Sequence, residues 1–213
     1  MLFTDVELSY TTSNISLLSG HLLKTPLDMA IRRATSTEEA DRLFLVNGDD
    51  GSISCYSLLR AQQVVAPSSV TTDGEFQAVA VDVDTIYTVI KRNINSANVY
   101  YVEVFDNTLH TDSAVYSASV SATGTAAHLA AETLDVIVDG NVEAQKAANG
   151  SGVVTFDRAS ASNYEIGLPF TVSVKTMPLE PRLQSGSIKG FKKRIVKVNA
   201  EVFQTQAMTI NGQ

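Results

Sequence analysis

The sequence predicts a mainly β protein built from antiparallel meander sheets, and three observations carry that expectation. Val, Ala, Ser and Thr are abundant, aromatics make up 7% and Trp is absent, a composition that suits strands better than long helices. Short apolar runs recur between Gly-, Asn- and Asp-containing breaks along the chain, the spacing of strands and turns. From Thr72-Asp73-Gly74 onward, a turn signal leads into three successive strand-like runs ending at Phe105.

The elements follow in order. Leu2 to Tyr10 alternates weakly and reads as an extended entry segment. Asn14 can cap a short helix over Ile15 to Leu23, where Ile15, Leu18 and Leu22 fall near helical spacing before Pro26. Met29 to Arg33, Leu43 to Val46 and Ile53 to Leu59 are strands, the last two flanking Asn47-Gly48-Asp49-Asp50-Gly51, whose glycines can take the positive φ of a hairpin loop. The meander Phe76 to Val83, Ile86 to Lys91 and Val99 to Phe105 comes next, with Asn93 to Asn98 as a polar turn. On its last strand Tyr100, Val102 and Val104 share one face and Tyr101, Glu103 and Phe105 the other, which pins the register.

From Asp106 the texture shifts to small polar residues such as Ser113, Ser117 and Thr123. Leu134 to Val138, the Asp139-Gly140-Asn141 turn, the Asn149-Gly150-Ser151-Gly152 loop, Val153 to Phe156 and Tyr164 to Phe170, leading into Thr171 to Thr176, read as a small β module. Pro178 and Pro181 mark its exit, and Ile188 to Gln204 has long strand character. The organisation expected is a partial propeller-like β body over residues 1–105, an inserted small β module over 106–177 and a returning strand segment over 178–213, with at most one or two short helices.

Composition narrows function. At 213 residues and 44% hydrophobic content the chain can bury a real core. Its net charge of -7 argues against general affinity for nucleic acid, because phosphate binding needs many exposed Lys and Arg. Cys55, the single cysteine, excludes an internal disulfide framework and reads as a buried strand thiol. No apolar stretch approaches the span of a bilayer and no secretory leader pattern opens the chain, so the expectation is a protein made inside the cell without a membrane partner.

Chemistry is sparse. His21 lies in an apolar segment, and His110 and His128 have no Cys or acid at metal-ligand spacing. The loop at Asn149 to Gly152 precedes a strand rather than a Lys-bearing helix, so it is no phosphate cradle. Adjacent acids such as Glu38-Glu39 and Asp49-Asp50 point apart on a strand, and the Asn47 to Gly51 loop lacks a calcium ligand ladder. No catalytic residue, metal site or cofactor is expected. Lys189, Lys192, Lys193, Arg194 and Lys197 crowd together in an otherwise acidic chain, either as solvated protection of a strand edge or as a docking patch for an acidic neighbour.

Several segments, taken in order, resemble the tail tubular proteins of short-tailed bacteriophages, also called nozzle or tail-stabilisation proteins. Leu2 to Tyr10 and Ile15 to Leu22 resemble that family's "DE.SY...ISLLA.HL" stretch. The Thr72-Asp73-Gly74 turn, the strand ending Lys91-Arg92 and the Tyr100 to Phe105 strand follow in the family's order. Asp135 to Gly140, Gly152 to Phe156 and Ile166 to Phe170 resemble its "V.V.ADG, G.ITL, VGLPY" series. The likeness is to the C-terminal portion of longer family members, which carry propeller blades before this region and tryptophans in the middle strands. The chain therefore corresponds either to a reduced homologue or to a segment of a longer protein. The resemblance implies a virion structural protein assembled in the host cytoplasm into a ring, commonly a hexamer, beside portal-adaptor and other tail proteins, with DNA as passing cargo. Asp49, Asp50, Asp82 and Asp84 are the candidate channel-facing acids and the Lys189 to Lys197 cluster the candidate subunit contact. A carbohydrate- or receptor-binding module of a tail tip is the alternative, through Tyr100, Tyr101, Tyr116 and Tyr164.

Overall fold

The computed structural model of the chain describes residues 2–4, 9–11, 14–36, 39–59, 62–175, 192, 194–202, 205 and 208–210. It is mainly β, with several antiparallel sheets, none closed into a barrel, and only single-turn 3-10 helices among these residues. Strands β1 (Leu2–Thr4) and β2 (Ser9–Thr11) pair as a small hairpin. The segment expected to be a short helix is instead a run of turns closed by a 3-10 turn at Gly20–Leu22. Its presumed apolar face stays outside, with Leu18 94% exposed. Without a surface to bury that face, nine residues are too few to hold an α-helix. Polar contacts hold the segment's end: the Asn47 Nδ2 group donates to Leu22 O at 3.0 Å, the Ser54 hydroxyl donates to the same carbonyl, and Asn47 Oδ1 accepts from Lys24 N at 3.0 Å.

A four-stranded meander follows: β3 (Pro26–Arg32), β4 (Asp41–Asn47), β5 (Ile53–Leu59) and β6 (Val64–Val70), each hydrogen-bonded to the next. Strand β6 has no forecast in the sequence because Pro67 argues against a strand; it is tolerated on an edge, opposite Tyr56. The second sheet is the predicted meander, β7 (Glu75–Asp82), β8 (Thr85–Ile94) and β9 (Ala97–Val104). The polar turn narrows to Asn95-Ser96, both at positive φ (49° and 61°), as a two-residue hairpin requires. Phe44, Val46, Ile53 and Cys55 of the first sheet pack with Phe76, Val79, Ile86 and Ile90 of the second in one buried core. Cys55 is thus a buried free thiol, its pKa pushed up by burial.

Strands β10 (Asp112–Ser117), β11 (Thr123–Thr125), β12 (Thr133–Val138), β13 (Asn141–Val142), β14 (Lys146–Ala147), β15 (Val153–Thr155) and β16 (Tyr164–Leu168) pair only among themselves. Asp139 and Gly140, at φ 48° and 74°, close the β12–β13 hairpin. A second core gathers Leu129, Leu134, Val136, Val138, Val154, Phe156 and Ile166, and Ile94 of β8 enters it, with Val99 and Tyr101 of β9 packed alongside. Strand β8 therefore serves both cores, and β9 packs on the second.

By compactness the chain divides into residues 1–170 and 171–213. In the second unit the described residues belong to no helix or strand, and Val172, Val174, Ile195, Val196 and Val198 are exposed. The strand character read for Thr171 to Thr176 and Ile188 to Gln204 is therefore corrected for those residues. Their alternation is genuine, but a strand also needs a neighbour's N–H and C=O groups. Lys189, Lys193 and the expected boundary at Met177 lie outside the described residues.

Candidate functional site

The densest polar cluster grows out of the alternation of β8. Ile86, Thr88, Ile90, Arg92 and Ile94 all point inward, so the face that runs from the first core into the second carries one arginine between them. Arg92 is 1% exposed. Its Nε and Nη2 donate to the two carboxylate oxygens of Glu103 at 2.8 and 2.7 Å, from the facing strand β9. Nη1 and Nη2 donate to both oxygens of Asp112 at 3.0 Å, and Nη1 also reaches Asp73 O at 2.7 Å. All five guanidinium N–H groups are thereby used. Burial opposes the charge, but the hydrogen bonds to Glu103 and Asp112 and the charges of both acids hold the pKa of Arg92 above its ordinary value.

Local backbone devices put these partners in place. Gly74 sits at φ 146°, where an added Cβ would lie 2.5 Å from Lys91 O, so only glycine lets the turn lie against β8 and aim Asp73 O at the guanidinium. Thr72 donates to Asp112 Oδ2 at 2.5 Å. Strand β10 is bulged between Asp112 and Val115, with Ser113 at φ 51°, and a bulge re-aims side chains in this way. Ser113 Oγ donates to Glu103 Oε1 at 2.9 Å.

His128 completes the network without forming a nucleophile–base pair. Its Nε2 lies 3.0 Å from Ser113 O and 3.2 Å from Ser113 Oγ. A carbonyl oxygen only accepts, so the nearer contact places the proton on Nε2 and leaves no lone pair there for the serine proton. Tyr101 stands edge-on to the imidazole at 5.6 Å and donates to His128 O at 2.8 Å. Burial, then the charge of Glu103, push its phenol pKa up.

Beside the clamp opens a cleft of ≈ 520 Å³, lined among others by Phe76, Thr88, Glu103, Phe105, Asp106 and Asp112. Phe105 stacks between Phe44 and Phe76 at centroid distances of 6.2 and 6.3 Å. The cleft's acids are Glu103, Asp106 and Asp112, and its nearest cation, Arg92, is already saturated. Asp106 accepts from the hydroxyl and N–H of Thr108, which hold its pKa down.

The nominated residues do not converge. Gly51, after Asp49 and Asp50, packs against Glu75 at the start of β7, while Asp82 and Asp84 flank its far end, roughly 24 Å away at strand rise. Asp50 is paired with Lys24 at 2.6 Å and bonded to Ser52, which lower its pKa to about 2. Asp84 lies 3.3 Å from Arg32, and Asp49 and Asp82 are exposed. Lys192, Arg194 and Lys197 are exposed. Of the tyrosines, Tyr100 and Tyr116 are exposed, whereas Tyr101 is half-buried and Tyr164 is buried. Among the described residues no three His, Cys, Asp or Glu side chains gather as a metal site would require. Sequence reading missed Asp112, Ser113 and His128; the available signal was an arginine at an inward position of β8, which demands buried acids. No family model and no curated protein matches the chain.

Proposed function

We propose that the chain is a structural subunit of the tail tube or nozzle of a short-tailed phage, assembled as a ring through which DNA is ejected. The observation that carries the reading is the ordered series of segments that resemble that family. Support comes from where two of them meet: the Thr72-Asp73-Gly74 turn and the Lys91-Arg92 strand join in one buried clamp, with Asp73 O accepting from Arg92 and Gly74 packed on Lys91 O. A motif pair held together in this way is a packing requirement of the fold, as befits a structural protein. The acidic balance agrees with a passive conduit, since a surface that attracted phosphate would trap the genome. Neighbours in this reading are further copies of the chain, the portal-adaptor ring and other tail proteins.

The exposed face of Tyr87, Tyr100, Val102 and Val104 is the one feature that favours the alternative, a carbohydrate- or receptor-binding module. Projection imaging of the purified protein, with a duplex DNA anisotropy titration at about 150 mM salt, tests the proposal. A ring with a central hole and negligible DNA binding is expected. Monomers without a ring that bind glycans on an array would replace the conduit with the receptor reading.

A further inference from the structure

Strand β9 is the edge of its sheet. It pairs only with β8, in a register where Phe105 N donates to Ile86 O. Antiparallel alternation then turns the N–H and C=O groups of Tyr100, Val102 and Val104 away from β8. No backbone partner for these three residues is found among the described residues on that side. The strand contains no Lys, no Pro and no bulge, and its one charge, Glu103, points inward and is held by Arg92. Its outer face is apolar, with Tyr100 64% and Val102 73% exposed. Val102 and Val104 also line the cleft beside the acids Glu103, Asp106 and Asp112, of which Glu103 and Asp112 are held by Arg92 and Asp106 by Thr108.

The complementary element is in the same chain. Residues 1–170 carry 9 Lys and Arg against 21 Asp and Glu, while residues 171–213 carry 7 against 2. Within the second unit, residues 194–202 alternate as a strand would, with Val196, Val198, Ala200 and Val202 on one side and Ile195, Lys197, Asn199 and Glu201 on the other. They are exposed and belong to no strand. Laid beside β9, this segment would continue the Tyr100, Val102 and Val104 face with valines and turn Lys197 toward the Glu103 side, where the acids lie.

We infer that residues 194–202 of one copy add as a strand to the β9 edge of a second copy, with Lys197 set against the acids of its cleft. Main-chain pairing supplies affinity and the alternating faces supply register. A second copy is the occupant because the acidic unit that holds β9 and the basic unit that holds the segment are complementary in charge, and because donor and acceptor are unlike surfaces, which join head to tail and propagate into a ring or an open chain. The joint does not depend on the conduit reading.

The test uses the full chain. Sedimentation velocity is expected to show self-association that weakens with salt, and Val198→Pro, which removes one ladder donor from a segment unpaired in the monomer, is expected to weaken it about tenfold or more. Lys197→Glu is expected to weaken it chiefly at low salt. Oxidising a mixture of Val102→Cys and Val198→Cys chains should give a disulfide-linked dimer that neither variant gives alone. A wild type that stays monomeric, an association indifferent to Val198→Pro, or a double variant that closes its disulfide within one chain at high dilution overturns the joint. A ring insensitive to Val198→Pro would remove the joint and keep the conduit; association through the joint without a central hole would do the reverse.

Discussion

Replacing Arg92 by Met tests the account of the clamp most directly. The substitution keeps an unbranched side chain of similar reach but removes five donated hydrogen bonds, leaving Glu103, Asp112 and Asp73 O facing one another without a cation. Removing one partner of a buried ion pair costs about 3–5 kcal/mol, because the remaining charge loses its compensation. Here two carboxylates are stranded, though both keep some access to water and hydrogen bonds from Thr72 and Ser113. A loss of about 4 kcal/mol is therefore expected, roughly 8–16 °C in Tm for a chain of this size.

Neutralising the stranded acids gives a second, independent reading of the same event. Adding Glu103→Gln and Asp112→Asn to Arg92→Met should recover part of the loss at pH 7 by removing the charges. Differential scanning calorimetry measures all three proteins. A deficit under about 1 kcal/mol at pH 7, or a triple variant no more stable than Arg92→Met, would refute the claim that Arg92 offsets two buried acids.

Two further outcomes are expected from local features. Asp50 has its pKa lowered to about 2 by Lys24 and Ser52, so its contribution is present above the unfolded carboxylate range near pH 4 and is lost as pH falls toward 2. Being partly exposed, it contributes less than about 1 kcal/mol; thermal midpoints between pH 5 and pH 2 should fall more steeply in the wild type than in Lys24→Gln, and parallel curves would remove the pair from the account. Gly152 sits at φ 75° with its absent Cβ 2.1 Å from Ala126 O, so Gly152→Ala should cost about 2 kcal/mol or more. Gly150→Ala, with open space around it, should change little, and equal urea midpoints for the two variants would contradict that difference.

The sequence by itself determined the elements whose cause is local. Alternation and turn chemistry suffice for the β4–β5 hairpin around Asn47 to Gly51, the β7–β8–β9 meander and the turn at Asp139-Gly140, because side-chain period and positive φ are properties of a few consecutive residues. The same alternation predicted strands at Thr171 to Thr176 and within Ile188 to Gln204, where the described residues have none, since a strand is completed by a partner that no local pattern contains. Helical spacing at Ile15, Leu18 and Leu22 likewise had no surface to bury against. The clamp was half visible, as Arg92 and Glu103 both sit on inward-facing positions of neighbouring strands, but which residues complete it was decided by tertiary structure. Asp112 lies twenty residues from Arg92 and reaches it through a bulge, and His128 meets Ser113 only because the second core brings β10 and the 3-10 turn at Ala127–Leu129 together. Distance along the chain carries no information about such meetings; the two cores joined through β8 decide them.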